Sequence, residues 1–254
     1  MKTIFFIPAR GGSTRVKNKN LKKIDRTSIL VKKIKNCLAT KLGKVYVSTD
    51  SKKIAKISTN NGANILHLRP KSLSTSKSSM LSSIINFLEN YQKKYFSLPD
   101  FIILAPATNP FLEKNSICQS IKILKNKPLF NSIVSVHSSN DDPFQLVNFK
   151  NKKLKFNIFN YGKKNYLSFE RSQDKPTFMK LSSALQITKA KYFKKYFKDK
   201  KLINRDKPFD YKKCLGYEVN SLEAVDINIK EDFEIIKEMR GKTAIFKKIL
   251  NNYC

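Results

Sequence analysis

Twelve residues near the start of the chain, Ala9-Arg10-Gly11-Gly12-Ser13-Thr14-Arg15-Val16-Lys17-Asn18-Lys19-Asn20, hold four cations, two side-chain amides and a Gly-Gly-Ser turn. That mixture suits a polyphosphate. Paired glycines let backbone N–H groups converge on an anion with no Cβ in the way, and Arg10, Arg15, Lys17 and Lys19 supply the counter-charge. Four cations this close repel one another unless water or an anion faces them. The loop has neither the Gly-Lys-Ser/Thr ending of a Walker loop nor a G-x-G-x-x-G pattern. Its composition therefore fits a solvated surface turn as well as a phosphate cradle.

Far along the chain, Glu223-Ala224-Val225-Asp226-Ile227-Asn228 offers a second kind of chemistry. On a strand, Asp226 and Asn228 would share one face while Ile227 enters the core. Two oxygen ligands on one face suit Mg²⁺, which takes few protein ligands plus substrate phosphates. The plainer reading makes Asn228 a cap for the helix that follows and pairs Asp226 with one of the many lysines. Thr49 and Asp50, after another strand-like run, read as a cap or loop organiser rather than as catalytic groups.

Such residues need a scaffold that brings positions 10 and 226 together, and the apolar patterning supplies one. Runs at 3–8, 44–48, 63–68, 101–104 and 132–136 read as strands. Between them lie helix-like stripes: Ile29, Ile34, Cys37 and Leu38, then residues 51–60, then Leu81, Ile84, Ile85 and Leu88, then Ile117, Ile121 and Leu124. A further helix is expected from Lys230 to Arg240. This β-α-β-α order predicts a single domain over residues 1–254, of α/β class: a doubly wound, mainly parallel sheet with helices on both faces. Ligands in such folds bind beyond the carboxyl ends of the strands. Gly11-Gly12-Ser13, Ser48-Thr49-Asp50 and Thr108-Asn109 are therefore expected to line one crevice. From 141 to 178 the alternation fades into a Lys-, Asn- and Phe-rich stretch, expected to be an excursion from the sheet that serves dimerisation.

Lys and Arg number 51 against 19 Asp and Glu, for a formal net charge of +32. Lysines dominate, with 44 against seven arginines. Arginine is the residue favoured for bidentate contacts with phosphates and bases, and Lys32, Lys33, Lys35, Lys93 and Lys94 fall on what read as solvent faces of helices. The charge thus reads as a solvated basic surface that attracts small anions at long range, with no nucleic-acid partner expected. Cys37, Cys118, Cys214 and Cys254 are scattered and form no metal-binding spacing with His67 or His137. That argues for a reducing compartment. No apolar run approaches membrane-span length, so a soluble cytoplasmic protein with no membrane partner is expected.

Seven segments, in order, carry a family likeness: IPARGGSTRVKNKN at 7–20, VSTD at 47–50, LRP at 68–70, ATNPF at 107–111, IVSV at 133–136, RSQDKP at 171–176 and EAVDIN at 223–228. Together they make a chain that resembles the CMP-sialic acid synthetase family, cytidylyltransferases that activate nine-carbon 2-keto sugar acids. The resemblance covers most of the chain and implies a nucleotide-diphospho-sugar transferase-like fold. It implies that Arg10, Gly11, Gly12, Ser13, Lys19 and Asn20 wrap the CTP triphosphate, that Arg69 contacts cytosine, and that Asp226 and Asn228 hold Mg²⁺. A nonulosonic acid is implied as second substrate, with Arg171 the candidate for orienting it and Thr108, Asn109 and Gln173 nearby. A homodimer is also implied, with 141–178 serving the dimer or the sugar site.

The chain departs from the family pattern at named places. Thr14-Arg15 stands where relatives commonly have Lys-Gly, Pro106 where they have glutamine, Ser182-Ser183-Ala184 where they have Asn-Gly-Ala, and Asn228 where they have a second aspartate. Arg15 or Lys17 has the reach to replace the missing lysine. The activity implied is transfer of CMP from CTP to the anomeric hydroxyl of a sialic-acid-like sugar, releasing pyrophosphate. Arg10, Ser13, Arg15 and Lys19 would hold the phosphates while Mg²⁺ on Asp226 polarises the α-phosphate. Two other readings stand beside it: a nucleotidyltransferase of the same fold with another sugar or nucleotide, and a basic nucleic-acid-binding protein with a vestigial loop.

Overall fold

The computed structural model describes residues 1–12, 16, 18–24, 26–138, 147–150, 153–156, 178–205 and 207–240. Strand β1 (Thr3–Pro8) runs into the glycine loop. A short antiparallel pair, β2 (Lys23–Ile24) and β3 (Thr27–Ser28), follows, then α1 (Ile29–Ala39), β4 (Gly43–Ser48), α2 (Lys52–Thr59), α3 (Met80–Tyr95), β5 (Phe101–Leu104), α4 (Lys114–Lys125) and β6 (Ser132–Ser138). A second antiparallel pair, β7 (Val147–Lys150) and β8 (Lys153–Phe156), precedes β9 (Met179–Lys189), α5 (Lys194–Lys198), β10 (Cys214–Glu218), α6 (Ser221–Ala224) and α7 (Lys230–Arg240).

Six strands form the main sheet in the order β10-β6-β9-β5-β1-β4. β1 pairs in parallel with β4 and β5, and β10 pairs in parallel with β6. β9 runs antiparallel between β5 and β6. The mainly parallel sheet expected from the patterning is thus observed, with one reversed strand in its middle.

β1 is apolar from Ile4 to Pro8 because both of its faces are covered. Successive side chains part to opposite sides. Phe5 and Ile7 join a core with Ile29, Leu30 and Ile34 of α1 and Ile117 and Leu124 of α4, while Ile4 and Phe6 meet Leu81, Ile84, Leu88 and Tyr91 of α3. Phe87 meets Phe6 and Tyr46 edge to face, which adds directional contact to that second layer. Serines start three of the helices: Ser28, Ser51 and Ser79 accept the N–H groups of Val31, Ile54 and Ser82. Glycine is required at position 43, where a Cβ would lie 1.8 Å from the Thr3 carbonyl oxygen.

Two expectations are corrected. Residues 63–68 are not a strand. Asn64 makes one parallel bridge to Tyr46, and beyond it the chain leaves the sheet edge so that the Arg69 N–H reaches the Thr49 carbonyl at 2.8 Å. Lys33 does not sit on a solvent face, being 2 % exposed. It lies four residues after Ile29 and four before Cys37, inside the apolar stripe of α1, whereas Leu38 at the stripe's margin is exposed. Most of 141–178, and with it the dimerisation reading, lies outside the described residues apart from β7, β8 and Phe178. Among the described residues no helix is long and apolar enough to cross a membrane.

Candidate active site

Because β1, β4 and β5 are parallel, the loops that follow them meet on one side of the sheet. There, Arg10, Lys19, Asn20, Arg69 and Thr108 line a cavity of about 310 Å³, with Pro8, Pro106 and the hydroxyls of Thr75, Ser76, Ser78 and Ser79 among its other walls. The glycine loop is fastened on both sides. Gly11 donates its N–H to Asp50 Oδ1 at 2.8 Å, and the buried Asn20 donates its side-chain amide to the Arg10 carbonyl at 3.1 Å. Gly11's N–H is therefore engaged by Asp50, while the space where a Gly12 Cβ would stand is open. Asp50 organises the loop, and its neighbour Ser51 caps α2. Arg10 Nη1 donates to the Thr75 carbonyl at 2.6 Å, joining the loop to the segment before α3.

Arg69 is 7 % exposed. Its Nε donates to Ser48 Oγ at 3.0 Å, Nη1 to Ser83 Oγ at 3.3 Å, and Nη2 to the Ser48 carbonyl. Those bonds use three of the five donors of a guanidinium. Burial pushes its pKa down to about 10, with Asp50 opposing and Arg10 assisting. It stays charged at neutral pH.

Asp226 reaches this region through backbone ties. Asn109 Nδ2 donates to the Val225 carbonyl at 3.0 Å, the Ile227 N–H to the Thr108 carbonyl at 2.9 Å, and Lys19 Nζ to the Ile227 carbonyl at 2.6 Å. One residue pair further out, Glu223 Oε1 takes the Glu113 N–H at 2.9 Å. The segment after α6 is thus laid against the loop after β5, which serves as its ruler. Residues 225–228 form no strand, yet Ile227 is fully buried, as the alternation requires.

The Asp226 carboxylate is asymmetric. Oδ2 lies 3.1 Å from Ser183 Oγ and 3.2 Å from Asn228 Nδ2. Oδ1 is buried and has no hydrogen-bond partner among the described residues. Leaving a buried carboxylate oxygen unpaired costs free energy, so the donor set fits a cation at Oδ1. Among the described residues no group of three or more His, Cys, Asp and Glu could hold a metal by itself. A cation here would rely on Asp226, the adjacent Asn228 and phosphate oxygens, the sparse protein set that Mg²⁺ accepts. Asp232, in the first turn of α7, takes the N–H groups of Asn228 and Ile229 on its Oδ2 at 2.7 and 3.0 Å and so ties the segment to that helix.

Thr108 lines the cavity, whereas Asn109 is fully buried with its side chain used on Val225 and within reach of Ser183. Asn109 therefore acts through the backbone it holds. Ser13, Thr14, Arg15, Lys17, Arg171 and Gln173 lie outside the described residues. Sequence reasoning missed Ser83 and Thr75; it expected Ser48 at the crevice and noted Ser183 as a departure from the family pattern, without their bonds to Arg69 and Asp226. The local signal at Ser83 is its place between Leu81 and Ile84 of the apolar stripe of α3, where it is buried.

A cationic cavity at the carboxyl ends of a mainly parallel sheet defines a nucleotidyltransferase-like α/β protein. Solved structures agree on the fold: the CTP complex of CMP:2-keto-3-deoxy-manno-octonic acid synthetase matches with a TM-score of 0.67 at 12 % identity, covering 96 % of this chain and 100 % of that one. The family model for cytidylyltransferases matches residues 4–240, and the chain belongs to that family. It is 26 % identical over 258 residues to the N-acylneuraminate cytidylyltransferase of Escherichia coli O18:K1:H7, covering 98 % of this chain and 56 % of the relative. It is 31 % identical over 137 residues to the CMP-N,N'-diacetyllegionaminic acid synthase of Legionella pneumophila, covering 54 % and 58 %. The chain thus spans little more than half the length of these two relatives. With the CMP-N,N'-diacetyllegionaminic acid synthase of Campylobacter jejuni it shares 25 % identity over 232 residues, 91 % of this chain and 92 % of the relative.

Proposed function

We propose that this chain transfers CMP from CTP to the anomeric hydroxyl of a nonulosonic acid and releases pyrophosphate, with Mg²⁺ as cofactor. The observation that carries the reading is the meeting of Arg10, Lys19 and Arg69 at one cavity, with the Asp226 segment tied to Lys19 through Ile227. Support for the sugar class comes from the named activities of the Escherichia coli and Campylobacter jejuni relatives.

Arg10 and Lys19 are held by carbonyls before any ligand arrives. Fixed cations stabilise charge on transferring phosphates without reorganising at the moment of reaction. Arg69, locked by Ser48 and Ser83, is suited to the cytosine carbonyl, since a rigid buried donor discriminates strongly against a base that leaves it unpaired. Ser13 and Arg15 would add to the phosphate grip, and Arg171, Gln173 and Thr108 would orient the sugar acid. The anomeric hydroxyl then attacks the α-phosphorus in line as pyrophosphate leaves, a step governed by positioning and charge. Mg²⁺ held by Asp226 with Asn228 would draw charge from the α-phosphate and favour ionisation of the hydroxyl. In this reading two copies work as a cytoplasmic homodimer through the 141–178 excursion.

Pyrophosphate release from CTP and Mg²⁺ with sialic, legionaminic, pseudaminic and 3-deoxy-manno-octulosonic acids tests the reading. Turnover is expected with a nine-carbon acid, falling by about 10²-fold in Arg10→Ala. Faster turnover with UTP or GTP than with CTP, or none with any acid, overturns it. Light scattering checks the dimer.

A further inference from the structure

β9 breaks step with β6 beside the candidate active site. Val134 pairs with Gln186 and Val136 with Leu181, so Ser182 to Leu185 on β9 face Ser135 alone on β6. The fully buried Ser135 holds the irregularity together: its Oγ accepts the Leu185 N–H at 3.1 Å and lies 3.2 Å from the carbonyl oxygens of Ser182 and Leu185. Ser182 Oγ accepts the Ala184 N–H at 3.1 Å. Bulges re-aim side chains that a regular ladder would place elsewhere. Here Ser183 Oγ comes within 3.1 Å of Asp226 Oδ2 and 3.2 Å of Asn109 Oδ1.

We infer that Ser183 is a positioning residue that pins Oδ2 of Asp226 and so presents Oδ1 to a divalent cation, an inference that rests on the reading of Asp226 as the metal ligand. A free carboxylate turns either oxygen, or both, toward a cation. This one has donors from Ser183 and Asn228 on Oδ2, while Oδ1 is buried and partnerless among the described residues. The hydroxyl carries one proton and faces two acceptors. An ionised carboxylate is the stronger of them, so the proton belongs to Asp226. Asn109 contributes on the other side by holding the Val225 carbonyl at 3.0 Å, one residue before Asp226. The backbone of the ligand is therefore set by the loop after β5, and its carboxylate by the bulge of β9.

The test uses Mn²⁺ as a spectroscopic stand-in for Mg²⁺. Free Mn²⁺ is followed by electron paramagnetic resonance as it is titrated into the full chain with CTP, for wild type, Ser183→Ala and Ser183→Thr. Losing one charge-assisted donor predicts a Mn²⁺ dissociation constant raised about tenfold in Ser183→Ala. Ser183→Thr, which keeps the hydroxyl on a strand that tolerates branching, restores it to within about twofold. Equal affinity in wild type and Ser183→Ala overturns the inference, as does a wild type that binds no Mn²⁺ in the presence of CTP. The two readings fail separately. Weakened Mn²⁺ binding in a protein that activates none of the sugar acids keeps the role of Ser183 and removes the proposed reaction, whereas turnover with unchanged Mn²⁺ affinity does the reverse.

Discussion

Asp50 Oδ1 takes the Gly11 N–H at 2.8 Å while its charge opposes the lowering of the Arg69 pKa. One carboxylate thus ties the start of the glycine loop and steadies a buried cation. Two substitutions separate these roles. Asp50→Asn keeps an oxygen acceptor for Gly11 and removes the charge, whereas Asp50→Ala removes both. If the hydrogen bond dominates, the KM for CTP rises about tenfold in Asp50→Ala and no more than about threefold in Asp50→Asn, since a bond to a charged partner contributes about 1.5–3 kcal/mol. Equal KM values for the two variants would assign the effect to charge alone. Position after a strand made Asp50 legible as a loop organiser, but its partner is 39 residues away in sequence, and no local pattern names such a partner.

At the scale of elements, α1 carries an unusual burden. Lys33 is buried, its Nζ has no hydrogen-bond partner among the described residues, and burial lowers its pKa to about 8, with Cys37 and Glu223 opposing. Glu223 is itself buried, and the Cys37 thiol is pushed up to about 12 by burial. Below pH 8 the ammonium is charged in both folded and unfolded chains, so the folded state bears the whole desolvation cost. Above the usual value of 10.5 the amine is neutral in both and the cost vanishes. Between them the unfolded chain binds more protons, so stability rises with pH. Lys33→Met should therefore stabilise the protein by about 3 kcal/mol at pH 7 in urea unfolding, and the gap to wild type should close toward pH 10.5. A gap independent of pH would mean that the ammonium is hydrated in the folded state. The helix itself was legible, because five of its buried positions keep a helical period, but a lysine in the stripe was read by its charge and not by its place. The same limit explains β9. Its residues are compatible with a strand, yet nothing local fixes a strand's direction, and its antiparallel course follows from the path of the chain after β6. The run at 63–68 fails for a related reason: β4 is the sheet's edge, and a single bridge at Asn64 is all that joins it. At the site, Arg10 and Lys19 stood out as cations of a glycine loop that follows a strand, whereas Arg69, in a segment that is not a strand, was marked only by the family resemblance. Ser83 was not legible, and neither were the bonds that Ser48 and Ser183 make to Arg69 and Asp226, because a serine's role is decided by partners that only the fold supplies.

The whole molecule adds a field to these contacts. The chain carries a formal charge of +32, and among the described residues its cations Arg10, Lys19 and Arg69 line the cavity. Distant lysines cannot touch CTP, but they raise the local concentration of a polyanion, and salt screens that effect over about 10 Å at 0.1 M. Contacts inside the cavity are shorter than this length and partly shielded from solvent, so they are screened much less. The two contributions therefore separate in kinetics. Raising KCl from about 50 to 300 mM should increase the KM for CTP several-fold and leave kcat within about twofold, because steering acts on capture and the fixed cations act on the bound state. Arg10→Ala should lower kcat at both salt concentrations and keep the same proportional rise in KM, since the surrounding lysines are unchanged. A KM that is flat in salt would show that the basic surface contributes nothing to capture. A kcat that falls as steeply as kcat/KM would instead place the screened charges in contact with the reacting phosphates.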